Sequence, residues 1–226
     1  SQRFSVIAII GLMNAVNMID GIDGLAGTQV LVPLIVFLSV AHAAGNANLT
    51  TDLMILAGAV SGFLMFNLRI PGRKRALVFL GDTGSLLLGL LLAWYSIKLA
   101  GMTASPLRPI TAVWIIAMPL LDMGAAMSLR MVQRKSPFYA DRQHLHYLLR
   151  DAGMSSRQVV CLLAAVSVTF SLLALTAEAH GVPEAAMFCA FLLLLLGYVA
   201  LLARPSLVTK ALSPFIPSAK APDSRI

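Results

Sequence analysis

Six apolar segments, each close to the length of a membrane-spanning helix, constrain the fold of this 226-residue chain more than any other feature. About 20 helical residues cross the roughly 30 Å hydrocarbon core of a bilayer. Hydrophobic residues make up 58% of the chain and charged residues only 12%, which excludes an ordinary soluble domain. The sequence therefore predicts an all-α, polytopic integral membrane helix bundle. Its spans are expected at residues 26–44, 53–68, 85–100, 110–130, 159–177 and 185–203.

A shorter apolar stretch, residues 4–13, precedes these spans. It lacks the basic start and the small-residue cleavage site of a signal peptide. We therefore expect the chain to begin inside a helix and to be a C-terminal fragment, with a transmembrane domain over residues 1–204. Residues 205–226 are rich in proline, serine and lysine, and are expected to form a disordered or surface-lying cytoplasmic tail.

Basic residues are confined almost entirely to one side of the predicted spans. Of the 17 lysines and arginines, only Arg3, Lys98 and Arg108 fall on the other side. Cytoplasmic loops of membrane proteins carry an excess of lysine and arginine, so the side with most of the basic residues is predicted to be cytoplasmic. The net charge of +7 is therefore interpreted as a signal of topology. No nucleic-acid partner is expected, because its basic patch would need a soluble face.

The segment NAVNMIDGIDGLAG, residues 14–27, spaces two amides and two carboxylates three residues apart. Asn14, Asn17, Asp20 and Asp23 would share one stripe if the helix continued through them. Ionisable groups at membrane depth are costly, so they mark a functional site by default. The segment is therefore predicted to form part of a site on the cytoplasmic side.

The segment FLGDTGSLLLG, residues 79–89, has two interpretations. It can be a plain helix start, at which Asp82, Thr83 or Ser85 caps free amide groups. Alternatively, Asp82 can hold a cation that bridges phosphate oxygens, beside a helix N-terminus that itself favours anions. Glycines 81 and 84 would then permit close approach of the backbone.

The segment PFYADRQHLHYLL, residues 137–149, contains His144 and His146. In a strand, this spacing would place both rings on one face, as in many metal sites. No third nitrogen or thiol ligand is evident, so we favour hydrogen bonding and charge donation to phosphate, helped by Arg142 and Arg134. A solvated basic loop is the alternative.

Asp122 lies in the apolar run AVWIIAMPLLDMGAAM and needs a partner. That partner is expected to be a catalytic loop or the backbone amides freed by Pro119, so Asp122 is predicted to support the site rather than to perform chemistry. Pro33 and Pro119 are predicted to kink their helices. Small residues at positions 58–62 are predicted to mark a close helix contact, either within the fold or at a homodimer seam.

The three polar segments, in this order and on this side of the membrane, closely resemble signatures of the polyprenyl-phosphate N-acetylhexosamine-1-phosphate transferases. DRQHLHYLL resembles the O-antigen-initiating branch, the bacterial undecaprenyl-phosphate GlcNAc-1-phosphate transferases. The resemblance implies transfer of N-acetylhexosamine 1-phosphate, with GlcNAc as the first candidate, from a UDP-N-acetylhexosamine to undecaprenyl phosphate, with release of UMP. It also implies a multi-pass protein of the bacterial inner membrane, in contact with the lipid bilayer, whose active site faces the cytoplasm.

The resemblance assigns roles to residues of this chain. It implies a Mg²⁺ ion, with Mn²⁺ as an alternative, bound by Asp82 and Asp20. The residues implied to be catalytic are Asp20, Asp23, Asp82, His144 and His146. Those implied to bind substrate are Asn14, Asn17, Arg134, Asp141 and Arg142.

Two departures from the family pattern stand out. Tyr147 occupies the place of the last motif histidine, and no adjacent pair of aspartates occurs in this chain, although the family carries one in an earlier cytoplasmic loop. The alternatives are a phospho-MurNAc-pentapeptide transferase and, from other classes, an inactive membrane scaffold or a secondary transporter. Carboxylates at the membrane midplane would favour transport.

Overall fold

The computed structural model describes residues 2–73, 75–101, 107–137, 139 and 141–212, and within these residues it is all-α. The helices are α1 (Gln2–Ile19), α2 (Leu25–Ala43), α3 (Ala47–Asn67), α4 (Gly81–Ala100), α5 (Pro109–Ile115), α6 (Ala117–Val132), α7 (Leu145–Asp151), α8 (Ser156–Ala179), α9 (Glu184–Leu202) and α10 (Pro205–Leu212).

Five helices, α2, α3, α4, α8 and α9, are long and apolar enough to cross a membrane. Together with the pair α5 and α6, they account for all six predicted spans and confirm the predicted fold class. The helix predicted over residues 4–13 extends further, because α1 continues to Ile19 and carries Asn14 and Asn17 with it.

The span predicted over residues 110–130 is broken rather than continuous. Helices α5 and α6 meet at Ile116 at an angle of 81°. Pro119 explains the break, because proline has no N–H for the carbonyl four residues earlier, and its ring clashes with that carbonyl. The kink predicted for Pro119 is thus a sharp bend, whereas α2 continues as a helix through Pro33.

Helix α1 packs along α4, and α2 packs along α3. Gly89 of α4 permits the first contact, because a Cβ there would lie 2.6 Å from Cα of Met13. Gly58 and Gly62 of α3 have no such neighbour among the residues that the structure describes. The close contact predicted for them within the fold is therefore wrong, and only the homodimer seam stays a prediction.

The helices alternate in direction, so their ends form two clusters. At one end, Lys98 lies 3.8 Å from Asp52, and Arg108 lies 3.3 Å from Glu178. These are the helix ends predicted to face away from the cytoplasm. The polar segments that carry the candidate site residues lie at the opposite end.

The tail predicted to begin at residue 205 starts with helix α10, which packs against α7 and α9 and buries Val208. The prediction of disorder is wrong for residues 205–212, whereas a surface-lying segment agrees with this helix. The remainder of the predicted tail, residues 213–226, lies outside the described residues.

Candidate active site

Residues 20–24, the acidic turn, connect α1 to α2. The condition for a single stripe of four polar residues is not met, because the helix ends at Ile19 and only Asn14 and Asn17 are helical. Gly24 has a φ of 84°, a left-handed conformation that glycine adopts readily. The chain therefore turns sharply, and Asp20 and Asp23 lie on the turn instead of on the helix.

Asn17 connects the first polar segment to the second. Its Nδ2 donates to Oδ1 of Asp82 at 3.2 Å and to Oγ of Ser85 at 2.9 Å. Helix α4 begins without any side-chain cap, so the interpretation of Asp82, Thr83 or Ser85 as a helix cap is wrong. The exposed carboxylate of Asp82 is positioned by Asn17 instead.

Two residues at the end of α3 hold the acidic turn. Oδ1 of Asn67 accepts a hydrogen bond from the Gly24 N–H at 2.7 Å, while its Nδ2 donates to the Val78 carbonyl at 2.8 Å. Nε of Arg69 donates to Oδ2 of Asp23 at 2.6 Å. Asn67 and Arg69 thereby fix the turn against the loop that leads to Asp82.

Negative charge accumulates at the acidic turn. Burial, and after it the neighbouring carboxylates of Asp82 and Asp23, raise the pKa of Asp20 to about 6. Among the described residues, no three His, Cys, Asp or Glu side chains are arranged to hold a metal ion by themselves. Mg²⁺ commonly needs only one or two carboxylates, completed by water and substrate phosphates, so Asp20 and Asp82 fit this ion.

Residues 141–147, the histidine segment, lie before and in the first turn of α7. His144 is extended, and His146 lies in the helix, so the strand considered for this pair is wrong. Their rings are nevertheless stacked, with centroids 5.6 Å apart. Nδ1 of His144 lies 2.7 Å from Oδ2 of Asp122, which confirms that Asp122 has a partner in this loop.

A buried arginine supports the histidine segment from α6. Arg130, 2% exposed, donates to both carboxylate oxygens of Asp141, at 3.0 and 2.7 Å, and to the Pro137 carbonyl at 2.8 Å. This hydrogen bonding lowers the pKa of Asp141. The carboxylate of Asp141, predicted to bind substrate, is therefore already engaged within the protein.

His146 joins the histidine segment to the acidic turn. The residue is 1% exposed, and neither ring nitrogen has a hydrogen-bond partner among the described residues. Burial lowers its pKa to about 4. A Cβ on Gly21 would collide with Nε2 of His146 and would lie 2.9 Å from the Tyr147 hydroxyl. Unpaired buried nitrogens at this junction are suited to a bound group that supplies the missing hydrogen bonds.

The other residues predicted to bind substrate surround this junction less closely. The exposed guanidinium of Arg142 lies over the Tyr147 ring, 4.8 Å from its centroid. Arg134 is exposed at the end of α6. Asn14 donates to the Ile10 carbonyl of its own helix at 2.8 Å. The structure thus brings Arg142 next to the junction and places Asn14 one helical turn before Asn17.

Sequence reasoning missed Asn67, Tyr198 and the structural role of Arg130. Each is a buried or partly buried polar group close to the end of an apolar helix. Such a group needs a partner, because burial without a hydrogen bond is costly. The sequence could therefore have indicated that these residues need partners, but which partners they have depends on helix packing.

Two clefts lie away from these segments, and the first, of about 420 Å³, is lined by residues of α5 and α9, with Glu184 as the one titratable side chain of its lining. The second, an apolar cleft of about 410 Å³, is lined by residues of α5, α8 and α9, among them Trp114 and Met187. It lies near the ion pair of Arg108 and Glu178, at the end opposite the acidic turn. It contains no titratable side chain, so the chemistry is assigned to the acidic turn and the histidine segment.

Comparison with known proteins gives a consistent result. Residues 2–100 match the family described as Glycosyl transferase family 4. Undecaprenyl-phosphate alpha-N-acetylglucosaminyl 1-phosphate transferase of Escherichia coli O157:H7 is 40% identical over 157 residues, which cover 68% of this chain and 42% of that protein. The protein of the same name from Haemophilus influenzae is 41% identical over 137 residues, 61% of this chain and 39% of that protein.

This chain spans about two fifths of the length of the curated relatives it matches. The Escherichia coli K12 protein, 39% identical over 150 residues, covers 66% of it. The resemblance inferred from the three polar segments is confirmed: this chain matches glycosyl transferase family 4 over residues 2–100 and, over about two thirds of its length, is similar to undecaprenyl-phosphate alpha-N-acetylglucosaminyl 1-phosphate transferases.

Proposed function

We propose that this chain carries the catalytic segments of a phosphoglycosyl transferase that moves N-acetylglucosamine 1-phosphate from a UDP-sugar to undecaprenyl phosphate. The product is a lipid-diphosphate-linked sugar, and UMP is released. This step would start the synthesis of O-antigen or a related cell-envelope polysaccharide. The named activity of the relatives supports the reaction class and the lipid acceptor.

One observation carries the proposal: three segments that are distant in sequence meet at one end of the bundle. Asn17 binds Asp82, and Gly21 lies against His146. Carboxylates and imidazoles are thereby collected at a membrane face. Of the described acidic side chains, only that of Asp122 is buried, and its partners are Leu145, His144 and Tyr198. This arrangement suits a reaction at the membrane surface better than transport through the bundle.

Phosphoryl transfer requires mainly positioning and neutralisation of charge. A bound Mg²⁺ would neutralise negative charge on the diphosphate of the UDP-sugar. Asp20 and Asp82 would hold that ion, and Asn17 would keep the Asp82 carboxylate in place. Arg142 would supply positive charge to phosphate oxygens, the neutral ring of His146 would supply a hydrogen bond, and Asp23 would stay bound to Arg69.

The proposed setting is the bacterial inner membrane, with the acidic turn and the histidine segment facing the cytoplasm. The helix ends at this side are followed by most of the lysines and arginines, as expected for cytoplasmic loops. A UDP-sugar would therefore reach the site from the cytoplasm, and undecaprenyl phosphate would reach it laterally from the bilayer.

The test is UMP release from a panel of UDP-N-acetylhexosamines, with undecaprenyl phosphate and Mg²⁺, by the protein in nanodiscs. UDP-MurNAc-pentapeptide belongs in the panel, because it tests the alternative transferase. We expect release with UDP-GlcNAc, its abolition by chelation of Mg²⁺, and a loss of at least about 100-fold in Asp82→Asn. Replacement of Mg²⁺ by Mn²⁺ tests the second metal.

Asp52→Asn is the matched control. Asp52 is also an exposed helix carboxylate, but it lies at the opposite end of the bundle beside Lys98. Its substitution should leave UMP release unchanged. Release by Asp82→Asn at the wild-type rate would refute the assigned role of this residue, and no release with any sugar by the full-length protein would favour the inactive scaffold.

A further inference from the structure

The carboxylate of Asp122 has three hydrogen-bond partners, two from adjacent residues at the start of α7 and one from α9. Its Oδ2 lies 2.7 Å from Nδ1 of His144, while Oδ1 accepts hydrogen bonds from the Leu145 N–H and the Tyr198 hydroxyl, each at 3.0 Å. The residue is 1% exposed. A buried carboxylate in an apolar helix is costly unless it is paired, so we take the role of Asp122 from the groups that it binds.

The hydrogen bonds of Asp122 and Arg130 assign the tautomer of His144. Because the Asp122 carboxylate can only accept, Nδ1 of His144 must carry the proton and donate it. On the other side of the ring, Nε2 lies 3.4 Å from a guanidinium nitrogen of Arg130, which can only donate. Nε2 must therefore be the unprotonated nitrogen.

His144 and His146 therefore differ in whether a ring nitrogen is free to bind a ligand. Both ring nitrogens of His144 are engaged inside the protein, by α6 side chains that pack against it. Neither nitrogen of His146 has a hydrogen-bond partner in the described part of the chain, and its ring lies against Gly21 of the acidic turn. Only His146 can therefore offer a ring nitrogen to a bound group without first losing a contact.

We infer that Asp122 is a positioning residue for the proposed transferase: with Tyr198 and Arg130 it fixes the Nδ1–H tautomer of His144 and the start of α7, so that His146 is held against the acidic turn. His144, implied above to be catalytic, then belongs to the support of the site. Its ring is held by Asp122 and stacks on the His146 ring, so it helps to keep His146 in place. This inference rests on the proposed function for its effect on catalysis, but not for the tautomer.

Asp122→Asn is a sharp test because it conserves shape and reverses one hydrogen-bonding atom. Asparagine has one acceptor oxygen and one donor nitrogen. If the oxygen accepts from Leu145 and Tyr198, the amide donates towards Nδ1 of His144 and forces the proton to Nε2. That proton would face the donor of Arg130, so the segment must shift.

The first experiment measures ring-nitrogen chemical shifts of ¹⁵N-histidine-labelled protein in nanodiscs. The chain has only four histidines, and His144→Gln identifies the signals of this residue. We expect His144 to be a single Nδ1–H tautomer in the wild type and to lose that state in Asp122→Asn. A wild-type His144 protonated at Nε2, or exchanging between tautomers, would overturn the inference, and this measurement needs no folded Asp122 variant.

The second experiment separates positioning from general support. Loss of a comparable outer hydrogen bond to a ligand costs about 10- to 100-fold, and we expect kcat of Asp122→Asn to fall by that factor with little change in KM for UDP-GlcNAc. Tyr198→Phe removes one donor but leaves the Asp122–His144 contact, so it should lower kcat by only a few-fold. Equal kcat values in the wild type and Asp122→Asn would contradict the inference.

Failure of the proposed function would be distinguishable. A wild-type protein without activity towards any UDP-sugar would count against the transferase. The ring-nitrogen shifts of His144 would still decide whether Asp122 fixes its tautomer.

Discussion

The acidic turn and the histidine segment lie in contact, yet they are built in opposite ways. Asp20 is partly exposed and Asp82 is exposed, and burial together with the carboxylates of Asp82 and Asp23 raises the pKa of Asp20. His144 and Asp141 are bonded to Arg130 or Asp122 inside the protein. The histidine segment is therefore held in place by hydrogen bonds within the protein. The acidic turn and Asp82, in contrast, carry unbalanced negative charge that a cation would neutralise.

The largest expected effect comes from removing the cation that supports the histidine segment. Arg130→Met removes both guanidinium donors from the Asp141 carboxylate, whose side chain is 12% exposed and would keep only the Gln143 N–H, and it removes the donor to the Pro137 carbonyl. Breaking a buried pair in this way costs about 3–5 kcal/mol, and we expect a clear fall in Tm in detergent micelles. Arg142→Met is the control, because that side chain is 68% exposed and its ion pair is 4.0 Å long. Equal Tm values for the two variants would show that the Arg130 network is not a rigid support.

The next effect concerns the junction between the two halves. Gly21→Ala places a methyl group against the His146 ring and the Tyr147 hydroxyl, so the two halves must move apart. Displacements of about 1 Å in an active site can cost 100-fold, and we expect a loss of that order in kcat/KM for UMP release. Gly197→Ala, at a glycine of α9 with no described atom within 4 Å, should have no effect on activity. Unchanged kinetics in Gly21→Ala would separate the histidine segment from the reaction.

A smaller effect is expected from the unbalanced charge of the acidic turn. Because the pKa of Asp20 is raised from 3.8 to about 6, the folded protein binds this proton more tightly than the unfolded chain. Between these two pH values the free energy of unfolding therefore falls as pH rises. Asp20→Asn should be more stable than the wild type at pH 7, by a difference of the order of 2 kcal/mol that vanishes below about pH 4.

His146 changes the pH dependence of the unfolding free energy in the opposite direction, but it is present in both the wild type and Asp20→Asn. Its pKa is lowered from 6.5 to about 4, so it makes the free energy of unfolding rise with pH over that window. Comparing Tm of the wild type and Asp20→Asn across pH 4–7 removes this contribution. Saturating Mg²⁺ should reduce the difference at pH 7, whereas a difference independent of pH would contradict the charge argument.

The smallest effect is expected for the ion pair that fixes the acidic turn from outside. The Arg69 side chain is 38% exposed, although its Nε lies 2.6 Å from Asp23. Partly exposed pairs contribute about 1 kcal/mol or less. A double-mutant cycle with Arg69→Met and Asp23→Asn should give a coupling energy of that size from Tm values. A coupling of several kcal/mol would mean that the acidic turn is as rigid as the histidine segment.

Much of the fold was predictable because it depends on local pattern. The apolar segments predicted as spans are helices, since a backbone in hydrocarbon must satisfy its own hydrogen bonds. A kink was predicted at Pro119, but its size, which breaks the span at Ile116, and the end of α1 at Ile19 were not predicted. Both depend on how proline and glycine interrupt a helix whose neighbours can accept a bend.

The sequence by itself determined the membrane helices, the side on which the polar segments gather and the residue types available there. Only the tertiary structure decided which groups pair: Asn17 with Asp82, Asp122 with His144, and Gly21 with His146. The physical reason is that burial and charge make a partner necessary, whereas its identity depends on which helices lie side by side. Hydrogen bonds are short and directional, so that choice follows from packing over distances that no local pattern records.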